Sequence, residues 1–164
     1  MLYIDLDIQN AEKFETFKKV YDLLYLTKPK EERSSNKRWL KLIPLYAREF
    51  IGRYYQDKPY EEYDWEDLYG YGDMVTYLQF GFEVEFDSLE VKENTARLSF
   101  SAYAFPYGGM DRFLVFLKAY ECIPTWAYNG FEVIQFHWEG DYEYDVTEYP
   151  EKTKAYKATW PKRD

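Results

Sequence analysis

Three features of the sequence predict an α+β fold. The chain opens on an alternating apolar strand, two later stretches alternate with period two and fold back as hairpins, and apolar-striped helical segments lie between them. The expected architecture is a single domain, residues 1–164, built on an antiparallel β-sheet from strand 2–8 and hairpins at about 78–105 and 131–146. Helices at about 11–26, 36–55 and 110–121 pack mainly on one face of that sheet. Residues 150–164 are expected as a basic tail or a docked extension.

Each element has its own signature. Leu2, Ile4, Leu6 and Ile8 alternate with Tyr3, Asp5 and Asp7, as in a half-buried strand. Asn10 is placed to cap a helix whose stripe is Phe14, Phe17, Val20, Tyr21 and Leu24, ended by Lys28-Pro29. A polar connection follows, with Ser34 or Ser35 available as the next cap. The helical stretch 36–55 contains Pro44, which removes an amide donor and predicts a kink or a break. From 74 onward the period becomes two, with Phe80, Phe82, Val84 and Phe86 on one face. The apolar set then changes parity at Leu89 and Val91, which predicts a bulge near Asp87-Ser88. A turn at Glu93-Asn94 pairs Leu89 with Leu98, Val91 with Ala96 and Glu90 with Arg97.

After Pro106-Tyr107-Gly108-Gly109, residues 110–121 form a helix apolar around most of its circumference. Residues 122–130, with Pro124 and Asn129-Gly130, read as a connection. Ile134, Phe136, Trp138, Tyr142, Tyr144 and Val146 then hold the even positions of a long alternation. A three-residue loop at Glu139-Gly140-Asp141 pairs Trp138 with Tyr142 and Phe136 with Tyr144, whereas a two-residue loop sets Trp138 against Glu143. A single long bent strand keeps the same parity.

Composition narrows the function classes. The formal net charge is −9, which opposes binding to phosphate backbones or anionic membrane surfaces and favours a basic partner. No apolar run approaches the length of a membrane span, and the first residues lack a secretion-signal pattern. The single cysteine, Cys122, rules out an internal disulfide and makes the cytoplasm the expected compartment. With His137 the only histidine, a Cys/His zinc site cannot be assembled in one chain, and no cofactor is expected.

Several constellations bear on chemistry. Cys122 and His137 form the one available thiol–imidazole pair, but no hydrolase signature surrounds them. Carboxylates recur on alternate positions at Glu83/Glu85/Asp87 and at Glu139/Asp141/Glu143/Asp145, the pattern of a solvated sheet face or of a glycosidase-type pair. Gly108-Gly109 precedes a helix without the lysine and spacing of a phosphate loop. Basic residues concentrate at 28–48, with Trp39 and Tyr46 among them, as on the solvated face of a helix or on a single-strand binder.

The stretch Tyr54–Tyr71, YYQDKPYEEYDWEDLYGY, interleaves seven Tyr and Trp rings with six acids and one lysine. Rings with polar tips supply contact area at interfaces, and carboxylates steer a cationic partner. The expected binding surface is Tyr60, Glu61, Glu62, Tyr63, Asp64, Trp65, Glu66 and Asp67, together with Glu139, Asp141 and Glu143. The expected function is non-catalytic: an inhibitory or immunity-like protein offering this surface to a basic protein. The alternative is a carboxylate hydrolase or carbohydrate-binding protein with an aromatic-lined cleft. A homo-oligomer joining the basic segment 28–48 to a neighbour's acidic centre is a third arrangement.

Overall fold

The computed structural model describes residues 1–30, 32, 34–55, 71–104 and 106–162. Among these, the strands are β1 (Leu2–Ile8), β2 (Val84–Lys92), β3 (Thr95–Ala102), β4 (Cys122–Tyr128), β5 (Val133–Trp138) and β6 (Tyr144–Glu148). The helices are α1 (Ala11–Thr27), α2 (Asn36–Leu42), α3 (Leu45–Tyr55), α4 (Tyr71–Thr76), α5 (Asp111–Lys118) and α6 (Pro150–Ala158). The strands form one antiparallel sheet in the order β2-β3-β1-β4-β5-β6, so the fold is α+β as expected.

Local chemistry sets the early boundaries. The Asn10 side chain accepts from the Lys13 amide at 3.0 Å, capping α1, and Ser35 caps α2 in the same way through Arg38. Pro44 separates α2 from α3, and its carbonyl accepts from the amides of Ala47 and Arg48 as α3 starts. α1 to α5 lie on one face of the sheet around a single core. Phe17 packs on Phe116 and Tyr120, Tyr21 on Phe86, and Phe82 stacks on Phe113 at 4.9 Å.

The β2–β3 hairpin has the expected register. Leu89 pairs with Leu98, Glu90 with Arg97 and Val91 with Ala96, and the ladder shifts between Phe86 and Ser88. Glu93 takes a left-handed φ of 55° at the turn. Arg97 turns away from Glu90, however. Its guanidinium bonds both oxygens of Asp5 on β1, at 2.6 and 2.9 Å, and lies 3.9 Å from the centre of the Tyr3 ring. The flat guanidinium fits a bidentate carboxylate and a ring face together.

Five expectations need correction. The strand expected from about 78 begins only at Val84, because α4 continues as a π turn over Tyr77–Gly81. Lys28 holds that turn: its ammonium donates to the carbonyls of Leu78 and Phe82, each at 2.7 Å. The last carbonyls of a helix lack intrahelical donors, and the Phe82 carbonyl also accepts from the Val84 amide at 2.9 Å. Lys28 is buried, not part of a solvated basic face, and burial pushes its pKa down to about 8. Phe80, expected in the apolar row, is 47% exposed.

The expected connection at 122–130 is instead strand β4, inside the sheet between β1 and β5. Pro124 is tolerated because the ladder to β1 shifts there, with Asp5 opposite Trp126, Leu6 opposite Pro124 and Thr125 the extra residue. The Thr125 hydroxyl donates to the Asp5 carbonyl, and the Trp138 indole N–H donates to that of Pro124.

The β5–β6 hairpin keeps the expected parity but slides by two residues. Trp138 pairs with Tyr144, Phe136 with Val146 and Ile134 with Glu148, and the loop lengthens to 139–143. Residues 150–164, expected as a basic tail or a docked extension, include helix α6, started by Pro150. It covers the opposite face of the sheet, where Tyr156 meets Tyr3 and Tyr128 at 5.0 Å each and donates to the Met1 carbonyl.

Candidate functional site

Three elements meet at the β5–β6 end of the sheet. The last turn of α3 brings Tyr54, the first turns of α5 bring Asp111 and Val115, and the hairpin brings Glu139, Tyr142, Glu143, Tyr144 and Asp145. They enclose an open cleft of about 510 Å³.

The loop is shaped from below. Lys118, in the last turn of α5, is buried, and its ammonium donates to the carbonyls of Gly140 (2.8 Å) and Asp141 (2.6 Å). The same ammonium lies 3.9 Å from the Trp138 ring centre. Burial pushes the Lys118 pKa down, and the Asp141 charge opposes the shift. Tyr142 folds out of the hairpin onto α3, 4.9 Å from the Phe50 ring and 5.6 Å from Tyr54. Its hydroxyl donates to the Phe50 carbonyl at 2.7 Å, and Arg53 bonds to the same side chain. A Trp138–Tyr142 pair is incompatible with these anchors, which explains the two-residue slide.

Tyr144 packs between Phe136 and Trp138 and donates a short hydrogen bond to Asp111. Burial, then that bond and the Asp111 charge, push its phenol far above the ordinary tyrosine value. Glu139 is exposed, yet its carboxyl is raised, first by a hydrogen bond to Asp145 and then by the Asp145 charge. Desolvation and the Glu143 charge add less, so the neighbouring Asp145 carboxyl dominates.

Of the expected binding residues, Glu139 and Glu143 line the cleft. The Asp141 side chain is exposed beside it, with its carbonyl on Lys118. Tyr60, Glu61, Glu62, Tyr63, Asp64, Trp65, Glu66 and Asp67 lie outside the described residues. The described start of that stretch, Tyr54, touches Tyr142. Asp111 and Tyr144 were missed as a pair. An acid in the first turn of a helix marks Asp111, but only the fold brings it to Tyr144.

The other constellations have structural explanations. Cys122 belongs to the core on the helix side, and burial pushes its thiol up to about 12. His137 is exposed on the opposite face, bonded to the Thr147 hydroxyl at 2.8 Å, so thiol and imidazole are on different sides of the sheet. Gly108, at φ +78°, lies so near the Gly81 carbonyl that a Cβ there falls 1.8 Å from its oxygen. The glycine serves backbone packing. Trp39, the ring within the basic run, is fully buried. Asp87 sits on the solvated face of β2, where Ser101 donates to it.

Among the described residues, no three or more His, Cys, Asp or Glu side chains are grouped to hold a metal ion, and no helix is long and apolar enough to cross a membrane. Compared with known proteins, the chain matches no family model, no curated protein and no solved structure.

Proposed function

We propose that the chain is a non-enzymatic binding or inhibitory protein, immunity-like in type, and that the cleft receives a basic protein such as a toxin or effector. The observation that carries this reading is the crowding of Glu139, Glu143 and Asp145 in full solvent. The Glu139 carboxyl is raised above the ordinary carboxylate range, chiefly by Asp145 beside it. A lysine or arginine placed among the three relieves that repulsion directly. Tyr54, Tyr142 and Tyr144 supply rings that add short-range affinity once water leaves. Carboxylates also accelerate encounter with a cationic partner, an effect that salt removes.

Capture from source-cell extract, with identification by mass spectrometry and then measured affinity, tests the reading. A basic partner is expected, with affinity that falls as salt rises. Replacing Glu139, Asp141 and Glu143 with their amides weakens it, and so does the same change at Glu61, Glu62, Asp64 and Asp67. A neutral or acidic partner, or binding indifferent to salt and to both sets of amides, overturns the proposal.

A second reading, a carboxylate hydrolase or carbohydrate-binding protein, is favoured by one observation: the acids and tyrosines line a single concave site. The full exposure of Glu139 weighs against it, because catalytic carboxylates act in sites that exclude water. Hydrolysis of aryl glycosides by the wild type, lost in Glu139→Gln, reverses the order of the two readings.

A further inference from the structure

We infer that the basic partner adds an extended strand to the outer edge of β6, with cationic side chains set against Asp145. This rests on the proposed acidic surface and specifies how its partner engages.

β6 is an outer strand of the sheet, and all of its residues are exposed or half-buried. Its ladder to β5 fixes which backbone groups are free. The Glu139 amide donates to the Glu143 carbonyl and the Tyr149 amide to that of Val133, both at 2.9 Å. Those pairs continue the register of β5 and β6, so the odd positions Asp145 and Thr147 are the hydrogen-bonded ones. By the alternation of an antiparallel ladder, the amides and carbonyls of Tyr144, Val146 and Glu148 point to the open edge. Among the described residues, no element lies beyond it.

The two sheet edges differ. On the opposite edge, β2 carries a bulge at Asp87, which interrupts the pairing a new strand needs. β6 has no bulge. Its side chains also define the occupant. Val146 is 43% exposed on the helix side, offering an apolar contact, and Asp145 projects from the other side beside Glu139 and Glu143. A strand alternating apolar and basic residues matches both faces. The β6 of a second copy does not, since Tyr144–Glu148 carries two acids and no lysine or arginine to meet Asp145. Strand addition gains affinity from main-chain bonds and specificity from alternate side chains.

The probe is a synthetic peptide of alternating lysine and valine, with a second version N-methylated on alternate residues so that charge is kept but one edge loses its donors. At low salt the parent peptide is expected to bind and to slow hydrogen exchange at Tyr144, Val146 and Glu148. N-methylation is expected to weaken binding roughly tenfold or more, through several lost backbone bonds. Val146→Pro removes an amide that faces the open edge, leaves the ladder to β5 intact and is expected to weaken binding similarly. The peptide comparison on the wild type needs no variant to fold. Equal binding of both peptides, or no binding by the parent, overturns strand addition. If both peptides bind alike but Glu139→Gln, Glu143→Gln and Asp145→Asn together weaken them, the acidic surface stands while the edge proposal falls. If those amides have no effect, the acidic surface itself fails.

Discussion

The two hairpins of the sheet are both acidic, yet they are held in opposite ways. β2–β3 closes on a two-residue turn, and its register follows from its own side chains, Leu89 on Leu98 and Val91 on Ala96. β5–β6 closes on a loop set by distant residues, with Lys118 beneath its carbonyls and Tyr142 anchored on α3. The first hairpin is locally determined. The second is positioned by the helical layer, as a site built from supporting contacts requires. Asp87 on β2 accepts from Ser101 on a solvated face, whereas in the second loop Asp145 stands close enough to Glu139 to raise its carboxyl.

Substitutions can break this contrast from either side. The largest expected effect is on the first hairpin. Leu98 is fully buried, and Leu98→Ala is expected to cost about 2–5 kcal/mol in chemical denaturation. Binding of a basic peptide by the folded protein is expected to be unchanged.

Lys28 gives the next effect. Its proton is held less tightly in the folded chain than in the unfolded one, so the unfolded chain binds more protons above about pH 8. Stability is therefore expected to rise with pH from about 8 to about 10, by up to about 3 kcal/mol. Above that the trend reverses. Tyr21 and Tyr55, raised to about 12 in the fold, contribute stability below pH 10 that is lost as their unfolded-state phenols ionise. In Lys28→Met the rise disappears from thermal melts recorded across this range.

The second hairpin should respond differently. Tyr142→Phe removes the hydrogen bond to the Phe50 carbonyl and is expected to cost about 1 kcal/mol, with faster amide exchange confined to 139–143. Lys118→Met is expected to loosen the same loop and to weaken peptide binding while leaving β2–β3 exchange unchanged. The smallest effect belongs to Glu90→Gln, within about 0.5 kcal/mol, because Arg97 pairs with Asp5 and not with its cross-strand neighbour.

This contrast also explains what the sequence could show. Strand β1, the capped helix α1, the break at Pro44 and the β2–β3 register were legible because each depends on neighbours in the chain or on period. β4 was not, since Pro124 reads as a breaker unless the bulge at Thr125 is known. The π turn was hidden because Phe80, Phe82, Val84 and Phe86 imitate strand alternation while Lys28, some fifty residues away, stabilises a helical end. At the cleft, Glu139 and Glu143 were visible as a run of acids. Asp111 and Lys118 on α5 were not, nor was the approach of Tyr54 on α3 to this hairpin, because nothing local ties two different helices to one loop.

The most direct measurement follows the backbone amides of the folded chain by NMR during titration with the lysine–valine peptide. The account predicts shifts concentrated at 139–148 and at Tyr54 and Asp111, reduced as pH falls and the carboxylates take up protons, Glu139 earliest for its raised carboxyl. Comparable shifts at Glu85, Glu90 and Glu93 on the other acidic hairpin, or shifts spread evenly over the surface, would contradict it.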